Sequence, residues 1–155
     1  MEIKGVNRIF VDTNILVFAT NEISPWHNLA RRELNSLRES GVELVISPQI
    51  VREYFAVVTR TQECRRPDVL NAVSQNIRML QREFTIVEEN SKVLTCLFEL
   101  VRDVPTAGKR IHDANIVATM IAHDIHHLLT HNLTDFEQFT AQISLVPLTE
   151  SNIGI

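Results

Sequence analysis

Three acidic residues stand at positions from which carboxylates could take part in catalysis. Asp12 follows a short apolar run, Glu53 lies early in a segment that begins with Ser47-Pro48, and Asp113 precedes a long apolar stretch. If these side chains meet, they repel one another unless a cation neutralises them. Mg²⁺ and Mn²⁺ prefer oxygen ligands and can activate water for phosphodiester cleavage. The three acids therefore indicate a metal-dependent hydrolytic site.

Each acid also has an ordinary structural interpretation. Asp12 could cap the helix that follows it, and from this residue alone capping and metal binding are equally favoured. Glu53 could be an exposed helical glutamate that pairs with Arg52, with Arg60 or with nothing. Asp113 could complement the dipole of a helix that it begins. Only convergence of the three would favour a metal site.

The elements that must position these residues alternate along the chain. Apolar runs of strand length occur at 7–12, 42–47, 84–87, 127–130 and 143–146. Helical patterns or caps occur at 13–19, 24–39, 48–58, 69–82, 94–101 and 113–122, with a helical turn at 135–139. Strands that alternate with helices predict a parallel α/β sheet, in which ligands bind beyond the carboxyl ends of the strands. No repeat or linker divides residues 1–155, so we expect a single domain.

Composition narrows the class of protein. The chain has 45% apolar and 22% charged residues and no apolar run of membrane-spanning length, which argues against disorder and against a membrane protein. No secretory signal is visible at the start, so we expect a cytoplasmic location. The two cysteines, Cys64 and Cys96, lack metal-type spacing and are expected to be reduced thiols.

Charge favours selective rather than bulk binding of nucleic acid. The net charge of −4 argues against attraction to polyphosphate through bulk charge, but arginine, which grips phosphate through a planar fork, greatly outnumbers lysine. We expect Lys109, Arg110 and Arg52 to be the cations that contact a nucleic acid.

Four segments resemble the PIN-domain nucleases, and most closely the VapC-type toxin ribonucleases of bacterial toxin–antitoxin pairs. They are FVDTNIL at 10–16, SPQIVREY at 47–54, HDANIVA at 112–118 and LTHNLTDF at 129–136. The resemblance implies a PIN-like three-layer sandwich with a central, mostly parallel sheet of about five strands flanked by helices. It also implies a Mg²⁺-dependent endoribonuclease that leaves 5′-phosphate and 3′-hydroxyl ends, a small antitoxin partner and a homodimer.

Carried over residue by residue, the resemblance makes Asp12, Glu53 and Asp113 catalytic metal ligands. Thr13, Asn14 and Thr130 would support them. The fourth acidic position is ambiguous, because the residue soon after the fourth strand is Asn132 and the next acid is Asp135. Either Asn132 orients a water or hydroxyl while Asp135 binds the metal, or Asp135 only caps the turn that follows.

Other interpretations remain open at this point. His123, His127 and His131 have a spacing suited to zinc only on one continuous helix, which the predicted strand at 127–130 disfavours. Trp26 is more readily a core or partner contact than a platform for a base. The apolar segments 50–58 and 69–80 could serve a dimer or an inhibitor-binding groove.

Three other functions compete with a toxin ribonuclease. They are a housekeeping PIN nuclease of RNA processing, a non-catalytic RNA-binding or adaptor domain, and a phosphatase or phosphotransferase with Asp12 as nucleophile. The third is disfavoured because position 14 is Asn rather than a second aspartate.

Overall fold

A single five-stranded parallel sheet organises the chain. The computed structural model describes residues 5–60 and 65–149. The strands are β1 (Arg8–Val11), β2 (Glu43–Ile46), β3 (Thr85–Ile86), β4 (His127–Thr130) and β5 (Ser144–Pro147), in the order β3-β2-β1-β4-β5. All four neighbouring pairs are parallel. The predicted sheet of five strands is therefore confirmed.

Helices fill the connections between strands. In the described ranges they are α1 (Thr13–Thr20), α2 (His27–Glu39), α3 (Pro48–Val58), α4 (Pro67–Glu83), α5 (Ser91–Asp103), α6 (Arg110–Ala122) and α7 (Leu133–Phe136). A short 3₁₀ helix, Glu137–Phe139, follows α7 and matches the predicted helical turn. None of the helices in these ranges is both long and apolar enough to cross a bilayer.

The strands are covered on both faces, which accounts for their apolar sequences. Successive residues of a strand point to opposite faces, and Ile9, Phe10 and Val11 of β1 are all fully buried. The same holds for Leu128 and Leu129 of β4. Helices must therefore pack on both sides of the sheet, as the expected three-layer sandwich requires.

The helix starts differ in detail from the sequence predictions. The Ser24-Pro25 cap is misplaced, because the Ser24 hydroxyl accepts a hydrogen bond from Trp26 N in a turn and α2 begins only at His27. Helix α6 begins at Arg110, so Asp113 lies inside its first turn rather than at its start.

Helix α5 forms where predicted but leaves apolar side chains uncovered. Val93 and Leu100 are buried, whereas Leu94 and Phe98 are exposed. Cys96 on the same helix is a free, partly buried thiol, as expected, and Cys64 lies outside the described residues.

The strand order creates a crevice at the carboxyl ends of the central strands. The chain moves from β1 to β2 and β3 on one side, and then returns to β4 on the other side of β1. Such a reversal of strand order opens a crevice beyond the carboxyl ends of the strands on either side of it. Here these strands are β1 and β4, and β1 leads directly into Asp12.

Candidate active site

Asp12 caps helix α1 and also lines a cleft. Its side chain is 6% exposed. Oδ1 accepts a hydrogen bond of 2.8 Å from Thr13 N, which caps α1. Oδ2 accepts hydrogen bonds from the Thr130 hydroxyl at 2.7 Å and from Asn14 Nδ2 at 3.1 Å. The carboxylate is therefore held in one orientation by residues of β4 and α1.

Glu53 faces the same crevice and is not an exposed helical glutamate. Its Oε2 accepts a hydrogen bond of 2.7 Å from the Thr13 hydroxyl, and its Oε1 accepts one of 2.7 Å from Gln49 Nε2. Its hydrogen-bond partners are thus neutral groups rather than Arg52 or Arg60. Since Thr13 donates through its backbone to Asp12 and through its hydroxyl to Glu53, one residue joins the two carboxylates.

Gln49 is a site residue that the sequence analysis missed. It is 4% exposed, and its Nε2 also donates to the His112 carbonyl at 2.9 Å, while its Oε1 accepts from Asn115 Nδ2 at 2.7 Å. The amide thereby ties α3 to the first turn of α6. Its position one helical turn before Glu53 is the signal that could have identified it.

A cleft of about 420 Å³ brings the predicted acids together. Asp12, Glu53, Asp113 and Asp135 all line it. Its other lining residues are Thr13, Asn14, Val17, Phe18, Ala56, Val57, Arg60, Asn132 and Phe136. Four carboxylates from four different elements therefore share one cavity.

Asn132 and Asp135, the two candidates for the fourth position, both line the cleft but differ in burial. Asn132 is exposed and is the N-cap residue of α7, where its side chain makes no capping hydrogen bond. Asp135 lies in the first turn of α7 and is partly buried in the cleft. Because Asp135 is not the cap residue, the interpretation that it only caps the turn is wrong.

The acids interact electrostatically. The pKa of Asp12 is raised from 3.8 to about 6. Burial is the main cause, the hydrogen bonds from Thr130 and Thr13 act against it, and the charges of Glu53 and Asp135 add to it. Burial, followed by the charges of Asp135, Asp12 and Glu53, likewise raises the pKa of Asp113 to about 6. The cleft therefore concentrates negative charge that the protein itself only partly balances.

The donor set fits a hard divalent cation. Among the described residues, no three His, Cys, Asp or Glu side chains are arranged closely enough to enclose an ion by themselves. Mg²⁺ does not require such a cage, because it keeps several waters and is held through one or two carboxylates together with substrate phosphate. The carboxylate oxygens that line the cleft, Asp12 among them with its orientation fixed, suit that mode of binding.

The three predicted RNA-binding cations lie at different places relative to the cleft. Arg110 is close enough to Asp113 to lower its pKa, whereas Lys109 is exposed and precedes α6. Arg52 is exposed and pairs with Glu89 at 3.6 Å, outside the cleft. Arg60 lines the cleft.

The histidines do not form a zinc site. His123 is the C-cap residue of α6, and its Nε2 lies 2.7 Å from the Glu88 carbonyl oxygen. His127 begins β4, and His131 follows β4. They therefore do not share the continuous helix that a zinc-binding stripe would need.

The chain folds as a parallel α/β sheet, and its acidic cleft lies where the strand order reverses. Together these two features indicate the family. The chain matches the PIN domain family over residues 9–141, and it belongs to that family. Ribonuclease VapC24 from Mycobacterium tuberculosis is 24% identical over 132 residues, which are 83% of this chain and 89% of that protein.

Solved structures share the fold at low sequence identity. VapBC2 from Rickettsia felis, solved with a DNA fragment from its promoter, has a TM-score of 0.70 at 18% identity and covers 90% of this chain and 98% of its own. FitAcB from Neisseria gonorrhoeae has a TM-score of 0.69 at 16% identity, with 90% and 97% covered. VapC20 from Mycobacterium tuberculosis, a Sarcin-Ricin loop cleaving toxin, has a TM-score of 0.59 at 18% identity, with 88% and 96% covered.

Proposed function

We propose that this protein is a Mg²⁺-dependent endoribonuclease and the toxin of a toxin–antitoxin pair. The observation that carries the proposal is the single cleft lined by Asp12, Glu53, Asp113 and Asp135. Membership of the PIN domain family and the similarity to a ribonuclease support it.

A divalent cation bound in the cleft supplies a water of lowered pKa and neutralises charge on the phosphate. The chain's own residues provide orientation. Thr13 and Thr130 hold the Asp12 carboxylate, and Gln49 and Thr13 hold that of Glu53, so neither has to reorganise when substrate arrives.

A cation close to the cleft can contact the RNA backbone. Arg110 does not line the cleft, but it is close enough to Asp113 to lower its pKa and can pair with a phosphate oxygen. Val17, Phe18 and Phe136 contribute apolar side chains to the lining of the cleft.

The alternative with Asp12 as a phosphorylated nucleophile fits less well. Chemistry through an aspartyl phosphate usually involves a second aspartate, and position 14 is Asn. Asn14 instead donates a hydrogen bond to Asp12 Oδ2. The adaptor alternative predicts an incomplete acidic set, whereas here four carboxylates line one cleft.

We propose a small antitoxin and a second copy of the chain as protein partners, and the cytoplasm as the place of action. Several solved relatives are toxin–antitoxin complexes. The exposed apolar side chains of α3 and α4, Phe55, Val57 and Leu70, offer surface for protein contacts.

The test of the activity is cleavage of RNA by the purified chain. We expect structured and single-stranded RNAs to be cut with Mg²⁺ and to stay intact with EDTA. Asp113→Asn should lower the rate by on the order of a hundredfold or more, since it removes a charged oxygen ligand. Cleavage that persists at full rate in EDTA, or in Asp113→Asn, contradicts the proposal.

Asp124→Asn is the matched control. Asp124 lies just beyond the other end of α6, is largely exposed, and has a positive φ of 55°, which asparagine also tolerates. Its substitution changes the net charge by the same amount as Asp113→Asn but should leave the cleavage rate unchanged.

A further inference from the structure

Three aromatic rings form a cluster at the rim of the acidic cleft. Phe18 lies on α1, Trp26 at the start of α2, and His131 directly after β4. The ring centroids of Trp26 and His131 are 4.4 Å apart, those of Phe18 and His131 5.4 Å, and those of Phe18 and Trp26 6.3 Å. The three rings are thus in mutual contact, and we call them the aromatic cluster.

The aromatic cluster is fixed to the acidic site by direct contacts. Phe18 lines the same cleft as the carboxylates. His131 N donates to Asn14 Oδ1 at 3.3 Å, and Asn14 Nδ2 donates in turn to Asp12 Oδ2. Two hydrogen bonds therefore separate the backbone of a ring residue from the catalytic carboxylate.

Trp26 is the accessible member of the aromatic cluster. It is 37% exposed, while Phe18 and His131 are partly buried. His27 Nδ1 lies 3.0 Å from the Phe18 carbonyl, a contact that anchors the beginning of α2 on α1 and holds the neighbouring Trp26 in place. An indole that is held rigidly and is partly open can stack on a base at little entropic cost.

An open depression on the surface of α2, lined by two arginines, begins at His27, the residue after Trp26. Its volume is about 500 Å³, and it is lined by His27, Asn28, Arg31, Arg32 and Asn35, with no carboxylate among them. Within the described part of the chain, neither Arg31 nor Arg32 has a carboxylate within 4.0 Å. Such a lining suits the phosphates of a nucleic-acid backbone.

We propose that Trp26 stacks on an unpaired nucleobase next to the scissile phosphodiester, while the backbone of that strand passes Arg31 and Arg32. This proposal rests on the proposed ribonuclease function and makes Trp26 a residue that positions the substrate. It places a single-stranded segment across the rim of the cleft, because only an unstacked base can pack on a side chain.

The first experiment compares the kinetics of three variants. Trp26→Ala should raise KM for a single-stranded RNA by roughly tenfold, as expected for the loss of one stacked base, with kcat changed less than KM. Trp26→Phe should retain most of the affinity, because a phenyl ring also stacks. Ile23→Ala is the control: Ile23 is 91% exposed in the same connecting segment, and its loss should change neither constant.

The second experiment uses the unaltered protein and does not depend on cleavage. Trp26 is the only tryptophan, so its fluorescence reports directly on contacts with its ring. In EDTA, an oligouridylate of about ten nucleotides should quench the fluorescence, and an abasic oligomer of equal charge should quench it several-fold less.

The outcomes separate the two proposals. Base-dependent quenching without cleavage of any RNA would remove the nuclease function and leave the stacking contact standing. Cleavage with equal quenching by both oligomers, or with an unchanged KM for Trp26→Ala, overturns the stacking proposal. If Trp26→Ala instead weakens only the binding of a partner protein, the indole is a protein contact and the proposal is also overturned.

Discussion

The charged side chains at the two ends of the central strand β1 differ in whether they are paired. At the amino end, Arg8 Nε donates to Glu43 Oε2 at 3.0 Å and Arg8 Nη1 donates to the His123 carbonyl at 3.0 Å. The other Glu43 oxygen accepts from the Thr85 hydroxyl at 2.8 Å. Charge at this end is paired and ties β1, β2, β3 and the end of α6 together.

At the carboxyl end of β1, the negative charges are not paired with cationic side chains of the described residues. In residues 5–60 and 65–149, none of the acids that line the cleft has an arginine or lysine within 4.0 Å. Burial and mutual repulsion raise the pKa values of Asp12 and Asp113 to about 6. The fold can therefore balance charge where this serves stability, and the imbalance at the cleft suits a bound cation.

The largest effect is expected when one substitution at each end of β1 is compared for RNA cleavage. Asp12→Asn should lower RNA cleavage by on the order of a hundredfold or more, because an amide is a poorer ligand for a hard cation. Arg8→Gln should leave cleavage intact and cost about 0.2–1 kcal/mol of stability, as is usual for exposed pairs. Rates and urea denaturation of both variants measure the contrast.

The Asp12→Asn variant should remain folded, which circular dichroism can check. Asparagine caps helices as well as aspartate does, so its oxygen can still accept from Thr13 N. Equal losses of activity in Asp12→Asn and Arg8→Gln would show that the two ends do not differ in function.

A smaller effect is expected when the carboxylate support is removed. Gln49→Ala takes away the donor to Glu53 and the link to Asn115. We expect the Mg²⁺ concentration for half-maximal cleavage to rise about tenfold, as losses in the outer shell of metal sites typically do. Gln81→Ala, at an exposed position on α4, is the control and should not shift it. A Mg²⁺ dependence that is the same in both variants contradicts this role for Gln49.

The smallest effect concerns stability and pH in the absence of metal. Asp12 and Asp113 have a pKa of about 6 in the folded protein against 3.8 as the ordinary value, so between these values the folded state binds more protons than the unfolded state. The free energy of unfolding should therefore fall as pH rises from about 4 to 6 through these two groups. Asp113→Asn should flatten that dependence, whereas Arg8→Gln should not.

Urea denaturation in EDTA across this pH range is the measurement. Mg²⁺ should reverse the trend near neutral pH by binding the ionised cleft of the folded state. A slope that is unchanged in Asp113→Asn would show that its ionisation is not coupled to folding.

The sequence was enough to predict the sheet and the acids, because both depend on local patterns. An apolar run that ends in Asp12 predicts a strand and places Asp12 at its carboxyl end. Because the strands are parallel, Glu53, which lies in the helix after β2, is brought to the same end of the sheet. That these acids bind metal remains a prediction, as does the single domain over residues 1–155.

The residues that the sequence did not reveal depend on tertiary contacts. Gln49 matters through its partners on α6. Trp26 meets His131 across more than a hundred residues of chain. No periodicity within one element reports such meetings, so only the assembled fold shows them.

Thr13 bridges Asp12 and Glu53. Its amide donates to Asp12 and its hydroxyl donates to Glu53, so α1 and α3 cannot separate without breaking the link between the two acids. An inhibitor that silenced the protein by separating α1 from α3 would have to break this link, whereas an inhibitor that covered the cleft would leave it intact.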